Sequence, residues 1–280
     1  YNILGPDLAN AQNTIWITNR QQGKTTAVGK FVAALSLAAP PCKTLACIYS
    51  TKQERAGELV RGARDFLYWM QTEEGAHPAW PTIKFERDND RGYAMSAAEG
   101  LPANEVFARP KSADTCRGDA PSAAFFDEIA FTTADFWYNF AYPLMQVANR
   151  VFTCTTTPPP PKTFFAEFVT NVQERNKLND HFFTVVNHSL ACEQCIADGT
   201  PAECCHRLFL VPPWKSLLRF NSMGKLMPRS RRNQLAAEVF GVMGHKFDGF
   251  LDEKLLESSE NRGRVETLGD SAHEVPTIWL

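Results

Sequence analysis

A lysine and a threonine follow a glycine at residues 23–25, within the stretch TNRQQGKTT that starts at Thr18. Gly23, Lys24 and Thr25 match the end of the phosphate-loop pattern G-x-x-x-x-G-K-[ST], although Thr18 stands where the first glycine belongs. Such a loop binds phosphates through backbone N–H groups, its lysine neutralises their charge, and its hydroxyl binds Mg²⁺. The alternative is an ordinary turn with a solvated lysine. The predicted phosphate-binding residues are Gln21, Gln22, Gly23, Lys24, Thr25 and Thr26.

Two adjacent carboxylates, Asp127 and Glu128, follow the apolar stretch AAFF. If that stretch is a buried strand of a parallel sheet, both carboxylates lie at the edge where such sheets bind ligands. Asp127 is then suited to hold Mg²⁺, and Glu128 to activate the water that attacks a γ-phosphate. Alone, the pair fits a strand end or a helix cap equally well. Its position about a hundred residues after the loop favours a nucleotide-hydrolysing site.

Two further segments hold candidate residues for the same edge. CTTTPPP, at 154–160, places Thr156 at the end of the next predicted strand, where its hydroxyl could sense the γ-phosphate. A plain threonine-rich strand end is the alternative. SADTCRGDAPS, at 112–122, places Arg117 in a loop before the acidic strand. Its charge either faces a phosphate or is solvated.

Four of the eight cysteines lie within CEQCIADGTPAECCH, at 192–206. Cys192 and Cys195 form a C-x-x-C knuckle, and an Asp-Gly turn folds it toward the second cluster. In extended backbone Cys204 and His206 point to one face and Cys205 to the other. Cys192, Cys195, Cys204 and His206 therefore make a tetrahedral Zn²⁺ set. Free thiols in a reducing compartment are the alternative.

The predicted elements must bring these segments together. A strand at 15–17 precedes the loop, and a helix over 26–39 follows it and ends at two prolines. A strand over 44–50 leads into a helix that opens with TKQE, a capping-box pattern. Further strands are predicted at 82–86, 92–96, 105–109, 122–131, 150–157 and 181–187, with helices near 135–145 and from about 163. This alternation predicts an α/β fold with a parallel sheet and helices on both faces.

Composition narrows the class of protein. With 280 residues, 44% of them apolar, the chain can bury a substantial core. It has no run of eighteen apolar residues and no basic-flanked apolar N-terminus, so we expect no membrane span or signal peptide and an intracellular protein. A net charge of -2 excludes a globally basic nucleic-acid coat. Any DNA contact must come from local patches.

The segments NRQQGKTT, CRGDAPSAAFFDEIAF and FTCTTTP together resemble the ATPase domain of the large terminase subunit, the genome-packaging motor of tailed phages and herpesviruses. That family tolerates a missing first glycine and often carries an arginine within the loop, here Arg20. The resemblance covers about residues 15–250, including NQLAAEVFGVMGHKFDGFLDEKLL. It implies a RecA-like ATPase that uses ATP and Mg²⁺, with Glu128, Lys24, Arg117 and Arg20 in catalysis. By this resemblance Arg117 acts on a neighbouring subunit and Arg20 positions the loop.

The resemblance also implies domains and partners. Residues 1–250 are expected to form the ATPase domain, with the Cys-rich insert at about 190–207, and residues 251–280 a linker. The RNase H-like nuclease of the family is not expected in this chain. The implied partners are double-stranded DNA, the portal protein, the small terminase subunit and further copies in a ring, with no membrane. The implied location is the procapsid portal, in the host nucleus if herpesvirus-like or in the host cytoplasm if phage-like.

Two other classes share part of this pattern. One lobe of a superfamily 2-type helicase has the same loop and acidic strand, but it needs a second lobe, and the residues after Phe168 show no second α/β repeat. A zinc-stabilised nucleotide-binding interaction module would bind without hydrolysis. The presence of both Lys24 and Glu128 argues against that module, and DNA-stimulated phosphate release would separate the two.

Overall fold

The computed structural model describes residues 13–243 except 73, 78–81, 97–99, 113–115, 117, 147–149, 179–181, 199–203, 208–209, 217–218, 220–225 and 227–235. Eight strands form its central sheet. They are β1 (Asn13–Thr18), β2 (Ala46–Ser50), β3 (Lys84–Asn89), β4 (Gly92–Ser96), β5 (Asn104–Pro110), β6 (Ala123–Asp127), β7 (Val151–Thr156) and β8 (Thr184–His188).

The strands lie in the order β3-β4-β5-β2-β6-β7-β1-β8. From β5 to β8 all neighbours are parallel, whereas β4 is antiparallel to both β3 and β5. A parallel pair needs a crossover of about a dozen residues or more, and only Asp90 and Arg91 separate β3 from β4. The predicted parallel α/β sheet is therefore confirmed, with an antiparallel hairpin at one edge.

Five helices lie in the described residues, and the first four cover the two faces of this sheet. They are α1 (Lys24–Ala38), α2 (Gln53–Trp69), the mixed helix α3 at 134–144 (Ala134–Phe136, the π-helical Trp137–Ala141, and Tyr142–Leu144), α4 (Phe164–Lys177) and α5 (Glu193–Ala197). Short helical turns span Ile129–Phe131 and Ala236–Phe240. No helix within the described ranges is both long and apolar enough to cross a membrane.

The helices predicted over 26–39, near 135–145 and from about 163 lie within two residues of α1, α3 and the start of α4. The strand predicted over 122–131 ends at Asp127, and Ile129–Phe131 is a helical turn because Glu128 has a left-handed backbone. Thr163 caps α4, because its Oγ1 accepts a hydrogen bond of 3.3 Å from the backbone N–H of Ala166. The capping box predicted for TKQE is wrong. Lys52 is the N-cap residue of α2, and no side chain caps that end.

Two apolar clusters, one on each face of the sheet, form most of the core, and a smaller third cluster contains Leu190, Ala191, Phe240 and Val242. Ile48 and Phe125 pack in the cluster that contains the buried residues of α1 and α2. Tyr49 and Phe126, one residue further along the same strands, pack with Trp137 of α3 and the buried residues of α4. Because successive strand residues point to opposite faces, strands buried on both sides read as continuous apolar runs.

Candidate active site

Four adjacent parallel strands end at one edge of the sheet and bring the candidate residues together there. Thr18 ends β1, Ser50 ends β2, Asp127 ends β6 and Thr156 ends β7. Ligands of open α/β sheets bind at the carboxyl ends of the strands, so this is the edge that sequence reasoning indicated.

The predicted phosphate loop connects β1 to α1 at this edge. Gln21 and Gly23 both have positive φ angles, 57° and 88°. Glycine adopts this left-handed conformation without the penalty that a Cβ brings, and Gly23 is the N-cap residue of α1. The first N–H groups of α1 lack partners within the helix, so they are available to an anion. The loop therefore combines a left-handed glycine with a helix N-terminus, and both features are used in phosphate binding.

Lys24 joins the loop to the acidic strand. Its side chain is buried, and its Nζ lies 3.4 Å from Glu128 Oε1 and donates over 3.4 Å to the carbonyl oxygen of Thr18. Burial lowers the pKa of Lys24, while the charge of Glu128 raises it in part. On the first turn of α1, Thr25 is half-buried and Thr26 is exposed. The structure thus brings together the two motifs that were about a hundred residues apart in the sequence.

Asp127 is held by two hydroxyl groups from neighbouring strands. Its Oδ2 accepts from Ser50 Oγ at 3.2 Å, and its Oδ1 accepts from Thr155 Oγ1 at 3.1 Å. Burial raises the pKa of Asp127, and the adjacent charge of Glu128 raises it further. The charges of Lys24 and Arg55 lower this pKa in part. The carboxylate and the two hydroxyl groups form a buried, oxygen-rich site at the end of β6. Such a site fits a divalent cation with oxygen ligands.

Glu128 has a left-handed backbone, with φ at 49°. Its Oε2 accepts from the backbone N–H of Thr157 at 3.3 Å. Lys111 Nζ donates to the carbonyl oxygens of Asp127 and Glu128 at 2.9 and 2.7 Å. A non-glycine residue in this conformation is strained and persists only where its surroundings hold it, and such strain clusters at functional sites.

Sequence reasoning missed Lys111. Burial lowers its pKa to about 8, against which the charges of Asp127 and Glu128 act only in part. The available signal was its position: it directly follows Pro110, the last residue of β5, and so lies at the same edge of the sheet.

Thr156 connects the end of β7 to the segment after the acidic strand. Its Oγ1 accepts a hydrogen bond of 3.3 Å from the backbone N–H of Ala130, in the helical turn that follows Glu128. The structure places the predicted threonine segment beside the acidic pair. Its role as a γ-phosphate sensor stays a prediction.

The two predicted arginines differ in what the structure describes. The Arg20 side chain is two-thirds exposed, and its guanidinium forms an ion pair with the carboxylate of Glu238. The backbone N–H of Arg20 also donates to the backbone carbonyl oxygen of Glu238 at 2.9 Å. It does not lie between Lys24 and Glu128. Arg117 lies outside the described residues, although the preceding Cys116 is buried. Both catalytic roles stay predictions.

The four predicted metal ligands lie together. His206 Nδ1 is 3.3 Å from Cys192 Sγ, 3.5 Å from Cys195 Sγ and 3.8 Å from Cys204 Sγ. All four ligand atoms are within 4.8 Å of one another. In a tetrahedral zinc site, bond lengths of about 2.3 Å to sulfur and 2.0–2.1 Å to nitrogen place two sulfurs about 3.8 Å apart and a sulfur and a nitrogen about 3.5 Å apart. Cys205 is exposed and outside the cluster, as the alternation predicted.

Comparison with known proteins rests on structure. No family model matches the chain, and no curated protein matches it. The large terminase of bacteriophage HK97 matches with a TM-score of 0.58 and 17% identity, over 85% of this chain and 48% of that protein. The chain has the fold of the phage large terminases. The large terminase of a thermophilic bacteriophage matches with a TM-score of 0.53 and 14% identity, over 88% of this chain and 53% of that one.

The terminase fold confirms the resemblance that the sequence motifs indicated, as far as fold is concerned. A structure of the same thermophilic phage terminase in complex with ATP-gamma-S matches with a TM-score of 0.50 and 14% identity, over 81% of this chain and 47% of that protein. The chain spans about half the length of these terminases.

Proposed function

We propose that this chain is the ATPase motor domain of a viral large terminase subunit and couples ATP hydrolysis to movement of double-stranded DNA into a procapsid. The observation that carries the proposal is the 3.4 Å contact between Lys24 of the phosphate loop and Glu128 at the end of β6, within a terminase fold.

In this proposal the phosphate loop binds the nucleotide. The backbone N–H groups of residues 21–26 bind the phosphates, and the Lys24 ammonium neutralises the β- and γ-phosphate charge. Lys24 Nζ lies between the carbonyl oxygen of Thr18 and a carboxylate oxygen of Glu128. An entering phosphate would replace Glu128 as the ionic partner of Lys24. That exchange would free the Glu128 carboxylate for water.

Hydrolysis belongs to the acidic pair. Asp127 and the Thr25 hydroxyl are the residues suited to hold Mg²⁺, which when bound would neutralise charge on the β/γ oxygens. Glu128 orients the attacking water and accepts its proton at a carboxylate oxygen. Lys111 and Thr157 hold Glu128 in place through its backbone oxygen and its Oε2.

The proposed motor works as a ring with DNA, the portal protein and the small terminase subunit, at the portal during packaging. Arg117 is the proposed arginine supplied to a neighbouring subunit, and such an arginine adds roughly 10³–10⁵ in rate. Arg20 is proposed to position the loop, because its ion pair joins the loop to Glu238 of the segment at 236–240. Residues 251–280 remain the proposed linker beyond the domain.

Phosphate release with and without double-stranded DNA tests the hydrolytic role. Glu128→Gln should retain ATP binding and lose roughly 10²–10⁴ in hydrolysis rate, because the amide cannot accept the proton of the water. Lys24→Ala should weaken nucleotide binding itself. Hydrolysis at the parent rate by Glu128→Gln in the assembled motor would refute the assignment. Binding without turnover in the parent would favour the interaction module.

A mixing experiment tests the ring. Arg117→Ala and Glu128→Gln subunits are each inactive in this proposal, but in a mixed ring each can supply across an interface what its neighbour lacks. Recovered hydrolysis in the mixture supports action between subunits. No recovery in verified mixed assemblies contradicts it.

We also propose that Cys192, Cys195, Cys204 and His206 bind one Zn²⁺, since their ligand atoms lie within 4.8 Å of one another and are the sulfur and nitrogen ligands that structural zinc prefers. Elemental analysis should find about one zinc per chain, lost in a Cys192→Ser/Cys195→Ser variant. Cys205→Ser is the matched control, because this exposed neighbour lies outside the cluster. A stably folded parent without metal would support free thiols instead.

A further inference from the structure

A segment almost two hundred residues further along the chain lies against the phosphate loop. We name this segment, residues 204–207 and 210–216, the strap. Trp214 Nε1 donates to the carbonyl oxygen of Gln21 at 2.9 Å, and Lys215 Nζ donates to the carbonyl oxygen of Arg20 at 2.6 Å. In the other direction, Gln22 Nε2 donates to the carbonyl oxygen of Leu210 at 2.7 Å. The strap therefore bonds to three successive loop residues.

These bonds determine where the loop N–H groups point. In a trans peptide the C=O of one residue and the N–H of the next point in opposite directions, and the backbone has no cis peptide bond within the described residues. The carbonyls of Arg20 and Gln21 point to the strap, so the N–H groups of Gln21 and Gln22 point away from it. A concave row of N–H groups on one side of a turn is an anion-binding nest. The strap thus orients the groups that would bind phosphate.

Thr18 occupies the first glycine position of the phosphate-loop pattern and is the last residue of β1, without a positive φ angle. The Trp214 ring also packs on Gly23, where an added Cβ would lie 3.6 Å from Trp214 Cζ2. Lys215 donates in addition to Gln22 Oε1 at 3.2 Å, which immobilises the side chain that holds Leu210.

The strap is anchored at its other end by the Cys/His cluster. Cys204 and His206 belong to the strap, whereas Cys192 and Cys195 belong to the segment that follows β8, the neighbour of β1 in the sheet. Arg207 adds a hydrogen bond of 3.2 Å to the carbonyl oxygen of Ser189 in that segment.

Within the described residues, the strap also packs in a small apolar cluster. Leu210 and Val211 are only partly buried there, against Leu190 and Ala191. Four metal–ligand bonds would therefore add a major restraint on where the strap lies.

We propose that a tetrahedral divalent cation of the zinc type, bound by this cluster, holds the strap on the phosphate loop and thereby sets the affinity of the loop for nucleotide. The inference rests on the proposed function, because it concerns the same phosphate site. The metal acts as a structural restraint and takes no part in the chemistry at Glu128.

The test measures ADP affinity by calorimetry together with zinc content. Zinc-loaded parent protein should bind ADP about tenfold or more tightly than the Cys192→Ser/Cys195→Ser variant, since in this proposal four strap bonds to the loop depend on the metal. Cys205→Ser should keep both zinc and affinity. Adding ZnCl₂ to chelator-treated parent should restore binding.

A second variant separates strap contacts from global folding. Trp214→Phe keeps an aromatic ring on Gly23 but lacks the N–H that donates to Gln21. In zinc-loaded protein it should weaken ADP binding by roughly 2- to 12-fold, the effect of one hydrogen bond. In the Cys192→Ser/Cys195→Ser background it should have no further effect, because the bond is already lost.

Amide hydrogen exchange gives a readout that needs no nucleotide. Peptides covering residues 19–25 should exchange faster in zinc-free protein than in zinc-loaded protein.

If zinc is lost while ADP affinity and loop exchange stay unchanged, the strap inference is overturned and the nucleotide site stands. If the zinc-loaded parent binds no ADP, the proposed function fails, and the inference fails with it. If Cys192→Ser/Cys195→Ser does not fold, an unchanged affinity of zinc-loaded Trp214→Phe and Lys215→Met also overturns the inference.

Discussion

Replacing Lys111 by methionine should reduce hydrolysis with little effect on nucleotide binding. Lys111 donates to the carbonyl oxygens of Asp127 and Glu128, at the turn where Glu128 has a φ of 49°. A left-handed non-glycine residue costs about 1–3 kcal/mol, whereas each hydrogen bond from a charged donor contributes roughly 1.5–3 kcal/mol. The two bonds therefore suffice to hold the turn, and methionine keeps the length of the side chain but removes both.

The expected magnitude follows from how far the carboxylate can move. Once the turn relaxes, Glu128 leaves its position 3.4 Å from Lys24. A misplacement of about 1 Å in a catalytic group can lower the rate by roughly 10²-fold. We therefore expect kcat for phosphate release to fall by about 10²-fold, while the Kd for ADP measured by calorimetry stays close to that of the parent.

Two controls accompany this variant. Lys43→Met changes an exposed lysine just before β2, at the opposite edge of the sheet, and should leave kcat unchanged. Lys111→Arg retains a charged donor and should recover part of the rate. Phosphate release by Lys111→Met at the parent rate, in protein of parental stability, would refute the idea that Lys111 positions Glu128.

The pH dependence gives an independent check. Burial lowers the pKa of Lys111 from 10.5 to about 8, so between these values the unfolded chain binds a proton that the folded protein has released. Stability from this group therefore rises with pH across that window, by up to about 3 kcal/mol. The free energy of unfolding of the parent minus that of Lys111→Met, both measured in urea, should increase as the pH rises from 8 to 10.5. A difference that stays constant would contradict the lowered pKa.

Three further substitutions test separate parts of the structure. Thr156→Val removes the acceptor of the Ala130 N–H and should lower the free energy of unfolding by about 1–3 kcal/mol in urea titration, with Thr156→Ser as the control that keeps the hydroxyl. Gly241→Ala places a Cβ 2.8 Å from the carbonyl oxygen of His188 at a φ of 73°, so it should destabilise the protein by more than about 1 kcal/mol; an unchanged urea midpoint would contradict this contact. Thr163→Ala should lower stability by about 0.5–2 kcal/mol through loss of the α4 cap, and Thr163→Ser should not.

Local features of this protein follow directly from its sequence. Helix α1 ends at Ala38 because the prolines that soon follow lack the N–H group that a helix needs. Helix α4 begins directly after Thr163, because the hydroxyl of this threonine caps its first turn. The phosphate loop and the acidic pair were likewise visible, since each depends on residues close together in the chain. One local pattern misled: TKQE has the capping-box residues, yet Lys52 is the N-cap residue of α2 and no side chain caps that end.

The motifs indicated which segments meet at the sheet edge, but the individual contacts between distant residues came only from the tertiary structure. The strand order places β7 between β6 and β1, which sets Thr155 beside Asp127 and the Thr157 N–H beside Glu128. Periodicity cannot reveal that order, because each buried strand shows the same apolar run whichever strands lie beside it. Trp214 and Gln21 are 193 residues apart, and nothing in either segment encodes their hydrogen bond. Such a contact depends on the whole sheet, because only the packed fold brings the strap to the loop.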